Sequence, residues 1–396
     1  MSFWSFVRSL LSAERNAGAM SARKGRRIWV LGPMPPPLNG QSNYNKVITT
    51  FLRSKAEVVV LSTGATSAEK IAAGLILPLI VLFRVRSEDR VYTSPPGQRG
   101  VWLFMLSLAA LRLRGLEHFL HHHSFRPINL GPMRAMRFAV AIGGRLQRHV
   151  FLSEGMRDRF ADIYLSPELK ARSFVLPNAF FFFENHSPLP IRQGPVTIGH
   201  LSVITREKGV DYLMSVVERL LERRSDFRFV IAGPIRDAAL RGEIDAFCAR
   251  HQGRVSAIGP VYDAAKAEFY QDLDVFVLPS RLVDEADPLV ILEAYSFGSE
   301  IVASATGCIP ERIRHPSRLM SFAVDADSRL LDKTIDEIMA DRAGTAEACA
   351  RHVAEMHEQS ERQAEAFFAA LGIRWTDVSA GSVTPVPGNV LRGVVR

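Results

Sequence analysis

The strongest constraint on how this chain folds is a pattern that runs twice. From Arg27 onward, short apolar runs alternate with longer stretches of helical period. Ile28–Leu31, Glu57–Leu61, Arg90–Thr93, Leu116–Leu120, Val150–Leu152 and Phe174–Leu176 predict buried strands, while Asn43–Leu52 and Val101–Leu113 predict helices that cover them. The series stops at Pro177–Pro195 (PNAFFFFENHSPLPIRQGP), which carries four prolines and no clean period, as a linker does. It then restarts with Val196–His200, Phe227–Ala232, Val255–Ile258, Val275–Leu278 and Glu300–Ala303. In Tyr212–Leu221, residues Leu213, Val216, Val217, Leu220 and Leu221 form a one-sided helical stripe, with Asp211 as the expected N-cap. Thr334–Leu371 predicts helix, and the stretch after Trp375 predicts a mobile tail.

Strand and helix in alternation imply an α/β protein with parallel, doubly wound sheets. Two such domains in series place the ligand at the carboxyl ends of the strands, and hence in a cleft between them. The expected division is an amphipathic, basic extension over 1–26, a first domain over 27–177, a linker over 178–195 and a second domain over 196–350. A helix over 351–375 would cross back to the first domain, and 376–396 would form the tail.

The net charge of +8 is unevenly spread. Residues 1–177 hold 25 Lys and Arg against 10 Asp and Glu, a net of +15; residues 178–396 hold 24 against 31, a net of −7. A basic half suits an anionic acceptor or an anionic membrane surface. Nucleic acid is disfavoured, because no aromatic-basic ribonucleoprotein motif, zinc-finger spacing or helix-turn-helix signature occurs. Cys248, Cys308 and Cys349 are too few and too scattered for a disulfide framework, so a reducing compartment is expected. The apolar runs Ile71–Phe83, broken by Pro78, and Val101–Leu111 fall short of the roughly 20 residues a spanning helix needs. The apolar start is cut by Arg8 and followed by basic residues, unlike a signal peptide, so a cytoplasmic or peripheral location is expected.

The chemistry concentrates in Pro279–Glu311 (PSRLVDEADPLVILEAYSFGSEIVASATGCIPE). A strand leads into a loop with Asp284, Glu285 and Asp287; Asp287-Pro288 then reads as N-cap plus first helical residue, and Gly298 ends the helix. A helix N-terminus beyond a strand's carboxyl end offers free N–H groups and a positive dipole, which suits an anion. Glu285 in the loop and Glu293 in the helix bracket that turn.

This segment resembles the signature of retaining glycosyltransferases of the GT-B fold, family four, where two Glu residues stand in a PS-x-x-E-G-x-P-L-V-x-L-E-A setting. Glu285 and Glu293 hold the two Glu positions, with Pro279, Ser280, Pro288, Leu289, Val290, Leu292 and Ala294 in register and Gly307–Glu311 (GCIPE) following. Ala286 replaces the family's usual Gly. The resemblance implies two Rossmann-like domains facing a central cleft and a nucleotide-sugar donor, UDP- or GDP-linked. It assigns Glu285 to the donor sugar, the main chain of Ala286, Asp287, Pro288 and Leu289 to sugar and phosphates, and Glu293 to the ribose.

Ile198–Asp211 is similar to the family's diphosphate segment, so Lys208 would meet the leaving diphosphate. The family's additional Arg is missing; His200 follows Gly199, and the nearby cation is Arg206. Gly233-Pro234 and the main chain near Val261 fit walls of the nucleotide pocket, or plain strand-to-helix turns. Leu31–Asn45 resembles the family's proline-rich loop, with Gly40 allowing close approach to a ligand and Gln41 offering a polar group. The absence of a GxGxxG fingerprint argues against a dehydrogenase. Of the adjacent histidines at the end of a strand, the resemblance favours His123, then His122, beside the transferred sugar; an ordinary buried histidine is the alternative.

The implied reaction is same-face attack by an acceptor hydroxyl beside the departing diphosphate, with Lys208 and helix N-termini stabilising the developing charge and no metal or other cofactor. The expected acceptor is a glycan or lipid-linked glycan of bacterial cell-surface polysaccharide assembly. A catalytically inactive nucleotide-sugar-binding subunit and a GT-B epimerase remain alternatives. Phe3, Trp4, Phe6, Val7, Leu10 and Leu11, ahead of Arg23, Lys24, Arg26 and Arg27, suggest an interfacial anchor, to which Ile71–Phe83 and Val101–Leu113 could add; the alternatives are that they cap the first domain's core or that translation starts at Met20.

Overall fold

The apolar runs pair as parallel strands in two separate sheets. The computed structural model describes residues 3–12, 15–16, 26–37, 39–97 and 100–375. Contacts divide it into one unit of Met1–Pro177 with Ser360–Arg396 and a second of Asn178–Gln359. Arg23, Lys24 and the stretch over 376–396 lie outside the described residues.

The first unit's strands are β1 (Arg15–Asn16), β2 (Ile28–Gly32), β3 (Val58–Ser62), β4 (Arg90–Thr93), β5 (His118–His121), β6 (Gln147–Phe151) and β7 (Phe174–Val175). They lie in the order β1-β3-β2-β4-β5-β6-β7. Every pairing is parallel except that of the short β1 with β3. β6 starts earlier than its apolar residues suggest, because buried Gln147 and His149 continue the ladder to His118 and Leu120 of β5. Pro78 does not break its helix: Ser67–Arg84 runs through it, since Leu77, Ile80 and Val81 stay buried on either side. Packing outweighs the lost hydrogen bond.

The second unit's strands are β8 (Val196–Leu201), β9 (Phe227–Ala232), β10 (Val255–Gly259), β11 (Val275–Leu278), β12 (Glu300–Ser304) and β13 (Leu319–Met320). They form an all-parallel sheet in the order β10-β9-β8-β11-β12-β13. Apolar layers cover both faces: Val210–Leu221, Ala238–Arg250 and Val324–Ala340 contribute to one, Asp263–Gln271 and Leu289–Ser296 to the other. Burial on both faces is why these strands are nearly uninterrupted in apolar residues.

Three boundaries differ from expectation. Asp211 is not the N-cap of Val210–Leu221; that place is taken by Gly209, whose φ of +80° ends the preceding turn. Asp211 sits in the first turn and pairs with Arg281 at 3.1 Å. Thr334–Leu371 is two helices, Val324–Ala340 and Arg342–Leu371, parted at Asp341, whose carboxylate accepts from the Gly344 N–H at 2.8 Å. The proline-rich stretch also holds a one-turn helix, Ala179–Phe182, with Ala179, Phe180 and Phe181 buried. From Ser360 onward the C-terminal helix packs with the first unit, where the Phe367 ring stands 5.7 Å from Phe119.

Each sheet reverses its winding once. In the second unit the chain runs from β8 outward to β10, then returns to place β11 on the other side of β8; in the first, β2 and β4 flank the same kind of reversal. Outside the carboxyl ends of the strands at such a reversal is the usual ligand position in doubly wound sheets.

Candidate functional site

At the winding reversal of the second unit, the loops that leave β8 and β11 come together. After β8, Thr205 accepts from the Lys208 N–H at 3.3 Å and caps a single turn, Arg206–Lys208. Gly209 follows, and a Cβ there would lie 2.1 Å from the Pro279 carbonyl oxygen. Only glycine tolerates both that approach and the left-handed backbone. The close pass fixes Lys208 beside the loop after β11. Its Nζ lies 2.6 Å from Glu285 Oε2, with side-chain exposures of 19% and 9%.

Glu285 is held from its other side as well. Ser280 Oγ donates to the same Oε2 at 2.6 Å, and the Glu285 N–H closes a turn on the Leu282 carbonyl at 3.0 Å. The loop after β12 clamps this one: Ser304 and Thr306 donate to the Ser280 carbonyl at 2.7 and 2.9 Å, and the Cys308 N–H donates to the Ala286 carbonyl at 2.7 Å. Gly307, at φ +63°, is required there because a Cβ would lie 2.4 Å from the Ala286 oxygen and 2.5 Å from that of Glu285. The GCIPE segment therefore locks the Glu285–Ala286 main chain in place. The outcome is one ammonium and one carboxylate in contact beyond the carboxyl ends of β8 and β11, with two ammonium protons left for a ligand.

Asp287 differs from its expected role. Its carboxylate takes a bidentate contact from Arg312, Nε at 2.8 Å and Nη2 at 3.1 Å, and accepts from the Asn178 N–H at 3.3 Å. It therefore does not cap the next helix, which spans Leu289–Ser296 with Pro288 at the N-cap and no side-chain cap. Gly298 follows the helix end at φ +77°. Pro288 and Leu289 are half-buried at the helix start.

Glu293, inside that helix, is gripped by two groups that the motif does not reveal. Lys266 Nζ lies 2.5 Å from Oε1, and Tyr270 donates its hydroxyl to Oε2 at 2.9 Å. Burial, then the Glu293 charge, pushes the Tyr270 phenol well above its usual range, so it stays a donor. Lys266 and Tyr270 stand four apart on Asp263–Gln271, a spacing that puts both on one face and was the available signal.

Arg206 points elsewhere: its guanidinium pairs with Glu243 at 2.6 Å on the open surface. His200 is fully buried, with Nδ1 2.9 Å from the Val277 carbonyl and Nε2 2.9 Å from Ser202 Oγ. Burial pushes its imidazole down to about 4. Gly233 is forced by its neighbours, since a Cβ would stand 1.8 Å from the Ser202 oxygen, and its N–H donates to the Gly259 carbonyl at 2.7 Å. This bond ties together the exits of β9 and β10, which lead to Pro234 and Val261; Val261 packs on the apolar layer beneath.

The first unit carries its own polar cluster at its winding reversal. Gln41 Nε2 donates to Ser94 Oγ at 2.7 Å and to the Pro95 carbonyl at 2.8 Å, joining the exits of β2 and β4. Gly40 begins the helix Gly40–Arg53, and a Cβ there would meet nothing within 4 Å, so the unit's own packing does not demand glycine. The histidines at the end of β5 diverge. His121 Nδ1 contacts the Tyr92 hydroxyl at 2.7 Å, and His122 Nε2 contacts His149 Nδ1 at 2.9 Å while its ring stacks 4.8 Å from Phe151. His123 stands 4.6 Å from the Tyr44 ring, with a buried Nε2 that has no hydrogen-bond partner; burial pushes its imidazole down to about 3. Among the described residues no group of three or more His, Cys, Asp or Glu is placed to hold a metal ion.

Known proteins agree with this architecture. Residues 195–341 match the family described as glycosyl transferases group 1. The phosphatidylinositol N-acetylglucosaminyltransferase gpi3 subunit of Schizosaccharomyces pombe is 29% identical over 174 residues, 43% of this chain and 36% of that protein. The chain spans about a third of the length of the curated relatives it matches. A glycosyltransferase of Rickettsia africae superposes with a TM-score of 0.65 at 16% identity over 88% of this chain and 99% of that one. Anabaena HepE in complex with UDP-glucose does so with a TM-score of 0.60 at 15% identity over 86% and 99%. The two-unit chain has the GT-B fold, and its residues 195–341 are similar to the glycosyl transferases group 1 family.

Proposed function

We propose that this chain is a retaining glycosyltransferase that moves a sugar from UDP or GDP to a hydroxyl of a glycan or lipid-linked glycan. The observation that carries it is the Lys208–Glu285 pair at the winding reversal of a group 1 domain. In this reading the donor diphosphate enters beside Lys208, whose ammonium bridges Glu285 and the leaving phosphate. Main-chain N–H groups at the start of Leu289–Ser296 add positive potential. Glu285 accepts from sugar hydroxyls, and Glu293, steadied by Lys266 and Tyr270, accepts from the ribose. The C–O bond to the phosphate breaks as the acceptor oxygen bonds to the same face of the anomeric carbon, and the acceptor proton passes to the leaving phosphate. Charge grows on that phosphate, so Lys208 acts on the transition state. The HepE structure with UDP-glucose supports a uridine donor.

We assign the acceptor side to the first unit, with Gln41 and His123 as its polar groups. The positive balance of that half suits a phosphate-bearing lipid-linked glycan met on a cytoplasmic leaflet, as in bacterial cell-surface polysaccharide assembly. One observation favours a second reading, a nucleotide-sugar-binding subunit without catalysis: carboxylates engage both Arg206 and Lys208. A panel of UDP and GDP sugars read by melting temperature, followed by donor hydrolysis in the presence of EDTA, separates the two. A stabilising donor that is also turned over supports the transferase. Stabilisation without turnover supports the subunit, and no response to any nucleotide sugar overturns both.

A further inference from the structure

The first unit presents an apolar surface that its own packing leaves uncovered. Helices Phe3–Ser12, Ser67–Arg84, Gly100–Leu113 and Arg134–Gly143 pack as successive neighbours. Ser67–Arg84 buries Ala73, Leu77, Ile80 and Val81 on its inner face. Its outer face is apolar too: Ile71, Leu75, Leu79 and Phe83 recur every fourth residue and are 54%, 59%, 54% and 80% exposed. The stripe runs about 18 Å at the α-helical rise. A helix apolar all round belongs in a core or a membrane, and this one lies on a surface.

The neighbours extend the face. Trp102, half exposed, places its ring 6.1 Å from that of Phe138 on the next helix, and Trp4 is 73% exposed on Phe3–Ser12. Phe6 and Leu10 of that first helix are buried, so it is part of the unit's fold and shows only its other side. Arg27 is not part of any surface cluster, because it is buried on Asp89 at 2.9 Å.

Arginines mark the helix ends. Arg84 donates to the Leu11 carbonyl, Arg112 to the carbonyls of Ala141 and Ile142 at 3.3 and 3.2 Å, and Arg114 to that of Val85 at 3.2 Å. Neutral carbonyls fix these guanidiniums at the surface without cancelling their charge. Residues 1–177, the half that presents this face, carry a net of +15. No helix among the described residues is long and apolar enough to cross a membrane.

We propose that this face docks onto an anionic lipid bilayer, the stripe and Trp102 entering the interface and the arginines meeting headgroup phosphates. Exposed aromatic and aliphatic side chains with a cationic rim satisfy both halves of an interfacial binding site, and the charge complementarity selects lipid over another copy of this basic unit. The proposal is independent of the donor chemistry, so failure of either leaves the other standing.

The test is co-sedimentation of the full chain with vesicles of phosphatidylcholine plus phosphatidylglycerol against phosphatidylcholine alone, at low and high salt. The parent should pellet with the anionic vesicles, less so as salt screens the arginines. Leu75→Asn/Leu79→Asn/Phe83→Ser should lower the partition coefficient about tenfold or more at an unchanged melting temperature. In the parent, brominated acyl chains should quench tryptophan fluorescence, and Trp102→Phe should reduce that quenching; this readout holds even where the triple variant folds poorly. No binding by the parent, equal binding to both vesicle types, or no quenching overturns the proposal. So does a parent dimer that the triple variant turns into a monomer, which would place a second copy on the face.

Discussion

Asp287 supplies a quantitative test of how the site is held. Its side chain is 1% exposed and that of Arg312 is 9% exposed, with the two joined through Nε and Nη2 at 2.8 and 3.1 Å. Burial works against the Arg312 charge, and Asp287 more than reverses it, so the guanidinium pKa stands above its ordinary value. Removing one partner of such a pair strands the other charge and costs about 3–5 kcal/mol. At about 2–4 °C per kcal/mol for a unit of this size, Asp287→Ala and Arg312→Met should each lower the melting temperature by roughly 6–20 °C. Because the second substitution removes a charge already stranded by the first, the double variant should recover at least about 2 kcal/mol relative to the sum. Urea denaturation of the four proteins measures this cycle. Single-variant costs below about 1 kcal/mol, or additive costs, would refute the buried pair and reopen Asp287 as a ligand group.

Burial pushes His118 down to about 4 and His149 to about 3, both below the unfolded value of about 6.5. The unfolded chain then binds more protons, so their contribution is complete above about pH 6.5 and is lost as pH falls through the folded values, at about 1.4 kcal/mol per pH unit for each. Urea midpoints should fall steeply below that pH, less so in His149→Phe; a flat profile down to about pH 5 contradicts it. Glu293→Ala should weaken nucleotide affinity about tenfold to a hundredfold by titration calorimetry, as loss of a charge-assisted contact implies, and Tyr270→Phe should do so less; unchanged affinity in Glu293→Ala counts against the ribose assignment. Gly307→Ala should lower stability by about 1–3 kcal/mol through its left-handed backbone and the two carbonyl contacts, whereas Gly40→Ala should stay within about 0.5 kcal/mol. Equal costs in denaturation would contradict that contrast.

The doubly wound order was legible because sheets buried on both faces leave uninterrupted apolar runs, as in Val275–Leu278. Starts of strands were harder: Gln147 and His149 look polar, yet the ladder buries them. The Pro78 helix survived because packing overrode local propensity. At the site, the spacing of Glu285 and Glu293 announced two carboxylates but not their partners. Lys208, Lys266 and Arg312 meet Glu285, Glu293 and Asp287 from 77, 27 and 25 residues away. Asp287 misled because Asp before Pro has the form of a helix cap, and only the tertiary position of Arg312 shows otherwise. The exposed stripe on Ser67–Arg84 was written in the sequence as apolar residues, but which face stayed uncovered depended on what the fold placed against it.

The proposed transfer depends on Lys208 acting on a leaving diphosphate, and its most direct test is steady-state turnover of the stabilising nucleotide sugar by the parent and Lys208→Ala. An ammonium whose contact strengthens only as charge develops should change kcat by about a hundredfold to a thousandfold and KM little. Circular dichroism and the melting temperature of the variant separate loss of chemistry from loss of fold, since Glu285 keeps its Ser280 bond when the lysine is gone. A folded Lys208→Ala protein that turns over the donor within about threefold of the parent, or that differs only in KM, would contradict the central claim.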